Sequence, residues 1–195
     1  ENTYHPRAIL VDVETNEKDG TVINLKELKR KTSFDFLGLA NSLSKIFIFD
    51  DNFHVILESP DGDRISIDNK RKYKELKEEF KWSLDSSILV PEKSEFKDKI
   101  KGELLTSEKP IPPSSGLRGI TLYSRGKLVN SPEFFSSSTS SHFYQYLTGW
   151  ISADFIDLLA EDVISTNRQS VDWEHPEMEK FRKFLSGIVA QVNTE

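Results

Sequence analysis

The 195 residues suffice for the core of one or two domains, and 36% hydrophobic with 30% charged residues predicts a soluble globular chain. A net charge of −6 argues against nucleic-acid binding driven by bulk charge, and the lack of cysteine excludes disulfides, thiolate catalysis and cysteine-ligated zinc. No apolar run approaches the ~20 residues that span a bilayer, so we expect a cytoplasmic protein without membrane contact. Residues 1–6 are polar and lack an initiating methionine, which predicts a piece of a longer protein.

The first part of the chain predicts a β-hairpin followed by a helix. Strands are expected at 7–13 and 21–25, separated by a polar turn. The helix is expected to begin after an N-cap at Thr32 or Ser33, because a hydroxyl can accept from the first free amides of a helix. Its core-facing residues recur at helical spacing and are Phe36, Ala40, Leu43 and Phe47.

A second hairpin and a charged helix are predicted next. Strands at 53–58 and 64–67 flank an Asp61-Gly62 turn, a dipeptide that favours tight hairpins. The nearby acidic residues do not follow the spacing of a calcium loop, so no metal site is expected. Residues 70–82 are expected to form a charged helix, with a narrow apolar stripe of Tyr73, Leu76 and Phe80.

The sequence of the middle of the chain predicts an irregular connecting segment, a strand and a loop. Residues 83–94 are irregular, and a domain boundary is expected close to residue 95. A strand is predicted at 96–105. Residues 108–116 are expected to form a loop, because their prolines cannot donate to a strand ladder.

The last part of the chain combines strands, a polar loop and a long helix. A hairpin is predicted at 119–129 with its turn at Gly126, followed by a serine-rich loop at 136–141. A strand at 143–153 ends in an acidic turn, and the polar loop 165–170 follows it. The final helix begins near residue 176, and its core-facing residues are Met178, Phe181, Leu185, Ile188 and Val192.

This order of hairpin, strand, acidic turn and polar loop resembles the coupling (transducer, or middle) domain of the GHKL ATPases. That superfamily includes gyrase, the ninety-kilodalton heat-shock chaperone, histidine kinases and MutL. In the chaperone branch the loop carries an Asn/Ser-Arg-Glu pattern, and its arginine reaches the γ-phosphate of ATP held by the preceding domain. Here Arg168 matches the arginine, Asn167 precedes it, and Gln169 stands where a glutamate is usual.

The resemblance extends to the start of the chain and implies its organisation. Gly20 and Thr21 resemble the last glycine-threonine strand of a GHKL nucleotide-binding domain, where the threonine lies beside the adenine. The implied fold class is α+β, with β-hairpins and helices followed by a β-α-β coupling domain of the ribosomal-protein-like type. The implied domains are a terminal hairpin of the ATPase domain at 1–30, a small α/β subdomain at 31–95 and a transducer-like domain at 96–195.

The chain lacks the motifs that bind ATP in this superfamily. It has no helix with the Glu and Asn that hold water and magnesium, no Asp-x-Gly-x-Gly loop and no glycine-rich lid. The fragment alone is therefore expected to be inactive, whereas the full-length parent is expected to hydrolyse ATP with Mg²⁺. The implied partners are its missing N-terminal ATPase domain, a second copy in a homodimer, and a client that is either protein or DNA.

Two alternatives remain open on the sequence. One is a non-enzymatic protein-interaction module that uses the serine-rich loop and aromatic surface, with no nucleotide role. The other is an independent hydrolase whose acidic residues would be Asp154, Asp157, Glu161 and Asp162. Those four carboxylates also fit a solvated turn between a strand and a helix. Upstream ATPase motifs in the parent would distinguish the coupling segment from the interaction module.

Overall fold

The computed structural model describes residues 29, 31–49, 53–59, 61–84, 89–136 and 141–194. The chain divides into two compact units, 1–33 and 34–195, and the fold below is that of the second. The hairpin predicted at 7–25, with Gly20 and Thr21, lies outside the described residues, as does most of the serine-rich loop. Among the described residues, no helix is long and apolar enough to cross a membrane.

A helix and a two-stranded hairpin form a small apolar cluster. Helix α1 spans Phe36–Ile46, and its N-cap is Asp35 rather than the predicted Thr32 or Ser33. The Asp35 carboxylate accepts from the Gly38 amide at 2.8 Å, which fixes the start of the helix three residues later than Thr32. The predicted core face is confirmed at its centre, because Ala40 is fully buried in this cluster.

The second hairpin is confirmed. Strand β1 spans Val55–Glu58 and strand β2 spans Arg64–Ile67, and the two pair antiparallel. Gly62 has φ of 91°, a conformation that a residue with a side chain adopts only with strain. The Asp-Gly signal therefore identified the turn correctly.

The helix predicted at 70–82 is wrong over most of its length. Helix α2 covers only Asn69–Lys72, where the Asp68 carboxylate accepts from the Arg71 amide at 3.0 Å. Strand β3 then spans Glu78–Ser83. The apolar stripe at helical spacing led to the wrong prediction, because Phe80 and Trp82 also follow the two-residue period of a strand. Pairing with a neighbouring strand decides between the two patterns.

A five-stranded mixed sheet forms the larger part of the unit. Its remaining strands are β4 at Lys101–Ser107, β5 at Gly119–Ser124, β6 at Lys127–Glu133 and β7 at Leu147–Ser152. The strand order is β3-β4-β7-β5-β6, and only the β5–β7 pair is parallel. The sheet joins strands on both sides of the boundary predicted near 95, while the three-domain division of the chain stays a prediction.

Two predicted strands begin later than expected. Residues Lys97–Lys99 and His142–Gln145 are 3₁₀ turns that precede β4 and β7. Close packing of β4 against β7 depends on glycine, since a Cβ at Gly149 would lie 2.5 Å from the Glu103 carbonyl oxygen. The hairpin of β5 and β6 is confirmed, with Arg125 and Gly126 both at positive φ in its turn.

The final helix is confirmed and covers one face of the sheet. Helix α3 spans Pro176–Val192, and all five residues of its predicted core face are buried. They share one apolar cluster with Ile120 and Leu122 of β5 and Leu147 of β7. The unit is thus an α+β structure with three α-helices, a two-stranded sheet and a five-stranded mixed sheet in the described part of the chain.

Candidate functional site

The loop that carries Arg168 is a short, closed turn. A β-bridge between Ile164 and Val171 holds its two ends together. Inside it, the Ser165 amide donates to the Ser170 carbonyl at 2.9 Å, and the Arg168 amide donates to the Ser165 carbonyl at 2.7 Å. Arg168 has φ of 54°, in the left-handed region that non-glycine residues occupy rarely. The backbone conformation therefore fixes the direction in which the Arg168 side chain extends from the loop.

Asn167 and Gln169 shape this loop from either side of the arginine. The Asn167 side-chain oxygen accepts from the Ser165 hydroxyl at 2.9 Å and from the Gln169 amide at 3.2 Å. Such local bonds are typical of asparagine in tight turns. The Gln169 carbonyl accepts from the Ser131 amide at 2.9 Å, which ties the loop to β6.

The Arg168 side chain joins three separate elements. Its Nε donates to the Leu128 carbonyl at 3.0 Å, and its Nη2 lies 3.4 Å from Oδ2 of Asp157 in the 3₁₀ turn Asp154–Leu158. The side chain is 36% exposed. The hairpin, the acidic turn and the polar loop thus meet at one guanidinium. A contact of 3.4 Å is long for a charge-assisted hydrogen bond, so the Asp157 pair is the weaker link.

Sequence reasoning missed one residue of this site. Asn130 in β6 is buried, and its side-chain oxygen accepts from the Val171 amide at 3.2 Å. Its side-chain nitrogen donates to the Ser131 carbonyl at 2.9 Å. A polar side chain at a buried position of a strand is the signal that could have identified it, because such groups need hydrogen-bond partners.

A cavity of about 450 Å³ lies beside the arginine. Arg168 is the only cation among its lining residues, which include three carboxylates, those of Asp157, Glu161 and Asp162. Excess negative charge disfavours a free phosphate here. Among the lining residues of the described unit, only the Arg168 guanidinium is suited to bind an anion, and that anion would be one held by another protein surface.

Three of the four acidic residues of the hydrolase alternative hold local structure, and the fourth, Glu161, is exposed. Asp154 accepts from the Arg125 amide at 2.7 Å, and Asp162 accepts from the Ile164 amide at 3.0 Å. Asp157 pairs with Arg168, and Glu161 lies 4.0 Å from His175. No group of metal-binding side chains occurs among the residues that the structure describes. Their arrangement therefore favours turn formation over acid–base chemistry.

The chain was compared with protein-family models, with curated proteins and with solved structures, and none of the three comparisons gives a match. The resemblance to the GHKL coupling domain therefore rests on the order of elements and on the residues of the loop. Of the residues that carry it, Asn167, Arg168 and Gln169 lie together in the described unit. Gly20 and Thr21 lie outside the described residues.

Proposed function

We propose that the chain is the coupling (transducer) segment of a GHKL-type ATPase. In this proposal Arg168 contacts the γ-phosphate of ATP bound by the N-terminal ATPase domain of the full-length parent, and so links ATP turnover to conformational change. One observation carries the proposal: the hairpin, the acidic turn and the polar loop, which the resemblance identifies by their order, converge on the Arg168 guanidinium.

The geometry of the arginine suits a phosphate sensor. Leu128 and Asp157 engage Nε and Nη2, and within the described residues Nη1 has no hydrogen-bond partner. The guanidinium is thus oriented in advance while one donor edge stays open. An incoming phosphate would compete with Asp157 for the same charge, and the ATPase domain that holds the nucleotide would have to offset the repulsion from the nearby carboxylates.

The physical consequence is coupling between ATP and domain closure. An arginine that reaches a phosphate on another domain binds it only in the closed arrangement, so ATP shifts the population toward that arrangement. ATP and Mg²⁺ belong to the parent in this proposal, and the fragment alone holds neither. The partners are the parent's own ATPase domain, a second copy of the parent and a protein or DNA client, all in the cytoplasm.

The finer fold assignment is part of the same proposal. A ribosomal-protein-like β-α-β coupling domain requires a mixed sheet with a helix packed on one face. The parallel β5–β7 pair and the packing of α3 on the sheet support this assignment. The described strands depart from it in one respect: β6 and a 3₁₀ turn connect β5 to β7, and α3 follows the last strand. The deciding experiment is on the parent: ATP turnover and nucleotide affinity are measured for the wild type and for Arg168→Ala.

An apolar groove favours a second candidate, a non-enzymatic interaction module. It measures about 420 Å³ and lies along the edge strand β3, where Phe80 is 59% exposed beside Trp82, Phe143 and Tyr146. Exposed aromatic side chains on an edge strand are common at protein-binding surfaces. A parent without a Glu/Asn helix and an Asp-x-Gly-x-Gly loop ahead of this chain would favour this candidate over the ATPase.

A further inference from the structure

A second, basic cavity lies on the face of the sheet opposite α3. Leu122 packs in the core beneath α3, and the next residue, Tyr123, points to the other face because side chains alternate along a strand. There the Tyr123 hydroxyl donates to the Lys45 carbonyl of α1 at 2.6 Å. The cavity measures about 320 Å³. Its lining comes from α1, α2 and the segments after α2 and before β5, and consists of Leu37, Asn41, Lys45, Arg71, Lys72, Lys74, Glu75, Ser115 and Leu117.

Three cations of this lining have only neutral hydrogen-bond partners among the described residues. Lys45 Nζ donates to the Ser115 carbonyl at 2.6 Å, and Arg71 Nη1 donates to the Asn41 side-chain oxygen at 3.1 Å. Lys72 Nζ donates to the Tyr123 hydroxyl at 2.5 Å. Five lysines elsewhere in the described unit pair with carboxylates, among them Lys77 with Glu108 and Lys81 with Glu103.

Lys72 is the most unusual of the three. It is only 5% exposed, and its Nζ lies 4.2 Å from the centre of the Tyr123 ring. Burial lowers its pKa to about 7. An ammonium uses three donors, and the hydrogen bond to Tyr123 engages one of them. Burial disfavours the charged form of Lys72, and an anion in the adjacent cavity would compensate that charge.

The cavity also has the size and the lining of a small ligand site. An arginine fork and two ammonium groups approach from two elements, α1 and α2, which suits the several oxygens of a phosphate better than the two of a carboxylate. The volume lies at the low end of small-molecule sites. Leu37 and Leu117 add apolar wall beside the cations, and Glu75 is the one carboxylate in the lining.

We propose that this cavity binds the phosphate group of a small soluble molecule, with Lys45, Arg71 and Lys72 as its ligands. The apolar wall takes the organic part of the phosphate ester. The site shares no residue with the Arg168 loop, so it is independent of the ATPase proposal and either can fail without the other.

Calorimetry on the 195-residue chain tests the site, with inorganic phosphate and phenyl phosphate as probes at constant ionic strength. Both probes are expected to bind, and phenyl phosphate more tightly. Arg71→Ala and Lys72→Met should each weaken binding by roughly 10- to 100-fold, as loss of a charge-assisted contact does. Lys70→Ala is the matched control, because Lys70 lies on the same helix, carries the same charge, is exposed and does not line the cavity. It should leave binding within about twofold.

A structural role for Lys72 gives a different pattern. If the hydrogen bond of Lys72 to Tyr123 is structural, Lys72→Met should lower the unfolding midpoint. If Lys72 binds phosphate instead, the midpoint should equal or exceed that of the wild type, because a buried ammonium with a neutral partner is removed, while phosphate binding still weakens. If that variant does not fold, Arg71→Ala decides. The proposal is overturned if neither probe binds the wild type, if Lys70→Ala weakens binding as much as Arg71→Ala, or if a short single-stranded oligonucleotide binds where both small phosphates do not.

Discussion

Arg168 donates its Nε–H to the carbonyl oxygen of Leu128, 3.0 Å away and 40 residues earlier in the chain. This bond anchors the polar loop to the β5–β6 hairpin, so the arginine has a structural role whatever else it does. In the isolated chain, Arg168→Ala should lower the free energy of unfolding by about 0.5–1.5 kcal/mol, the usual net value of one hydrogen bond. Urea denaturation measures it. Lys70→Ala, on an exposed lysine, is the control and should change stability by less than ~0.5 kcal/mol.

The sensor role of Arg168 is tested in the full-length parent. Arg168→Ala should lower ATP turnover by roughly 30- to 1000-fold, because a contact to developing phosphate charge is worth ~2–4 kcal/mol. Nucleotide affinity should stay within a fewfold, since the adenine and α/β-phosphates are bound elsewhere. Arg168→Lys should not restore full turnover, because an ammonium lacks the planar fork. Wild-type turnover together with a lowered unfolding midpoint would end the sensor proposal.

The isolated chain should not bind ATP as a nucleotide. It contains none of the adenine and phosphate motifs of the superfamily, so any ATP binding should come from phosphate charge alone. Calorimetry on the Arg71→Ala variant, in which the proposed phosphate cavity is weakened, is therefore expected to give no micromolar affinity for ATP and equal behaviour for ATP and inorganic tripolyphosphate. Micromolar ATP affinity that tripolyphosphate does not match would contradict the assignment as a coupling segment.

Leu185 tests the docking of α3. Its side chain is 1% exposed in the cluster that α3 shares with Ile120 and Leu147. Leu185→Ala should lower the free energy of unfolding by roughly 2–5 kcal/mol, as truncation of a buried leucine does. Lys183→Ala, on the exposed side of α3, breaks only the pair with Glu179 and should cost a few tenths of a kcal/mol. Equal, small losses for both variants in denaturant melts would show that α3 does not pack as described.

The pH dependence of stability should report Lys72. Its pKa is about 7 in the folded chain and near 10.5 when unfolded, so the unfolded state binds the extra proton between these values. Stability therefore rises with pH from about 7 toward 10, by an amount on the order of a few kcal/mol. Above about pH 10 the effect reverses, because burial raises the pKa of Tyr73 and Tyr123 and the unfolded state loses their protons first.

Thermal unfolding across this range, in buffers without phosphate, measures the effect. The difference in unfolding midpoint between the wild type and Lys72→Met separates the contribution of Lys72 from that of the other charged groups around the cavity. These are Lys45, Arg71, Lys74 and Glu75. The difference should be largest below pH 7 and should vanish by about pH 10.5. A difference that is flat across this range would show that Lys72 titrates normally in the folded chain.

Local sequence signals correctly predicted the elements that depend on residues close together in the chain. The Asp-Gly turn, the hairpin at Gly126 and the apolar period of α3 each depend on residues within a few positions of one another, and all three are confirmed. The prediction that Thr32 or Ser33 caps α1 was wrong, because a local pattern allows more than one N-cap. Several residues before a helix can cap it, and only the hydrogen bond from Gly38 to Asp35 decides which one does.

The sequence by itself determined the α+β class, the order of hairpin, acidic turn and loop, and the presence of one arginine in that loop. Only the tertiary structure decided that residues 78–83 form a strand, because pairing with β4 outweighs a helical stripe. Only the tertiary structure showed that Arg168 contacts Leu128 and Asp157. The same holds for the hydrogen bond between Lys72 and Tyr123, which are 51 residues apart in sequence. Contacts of that range depend on the order and pairing of strands in the sheet, which the periodic pattern within a single element does not encode.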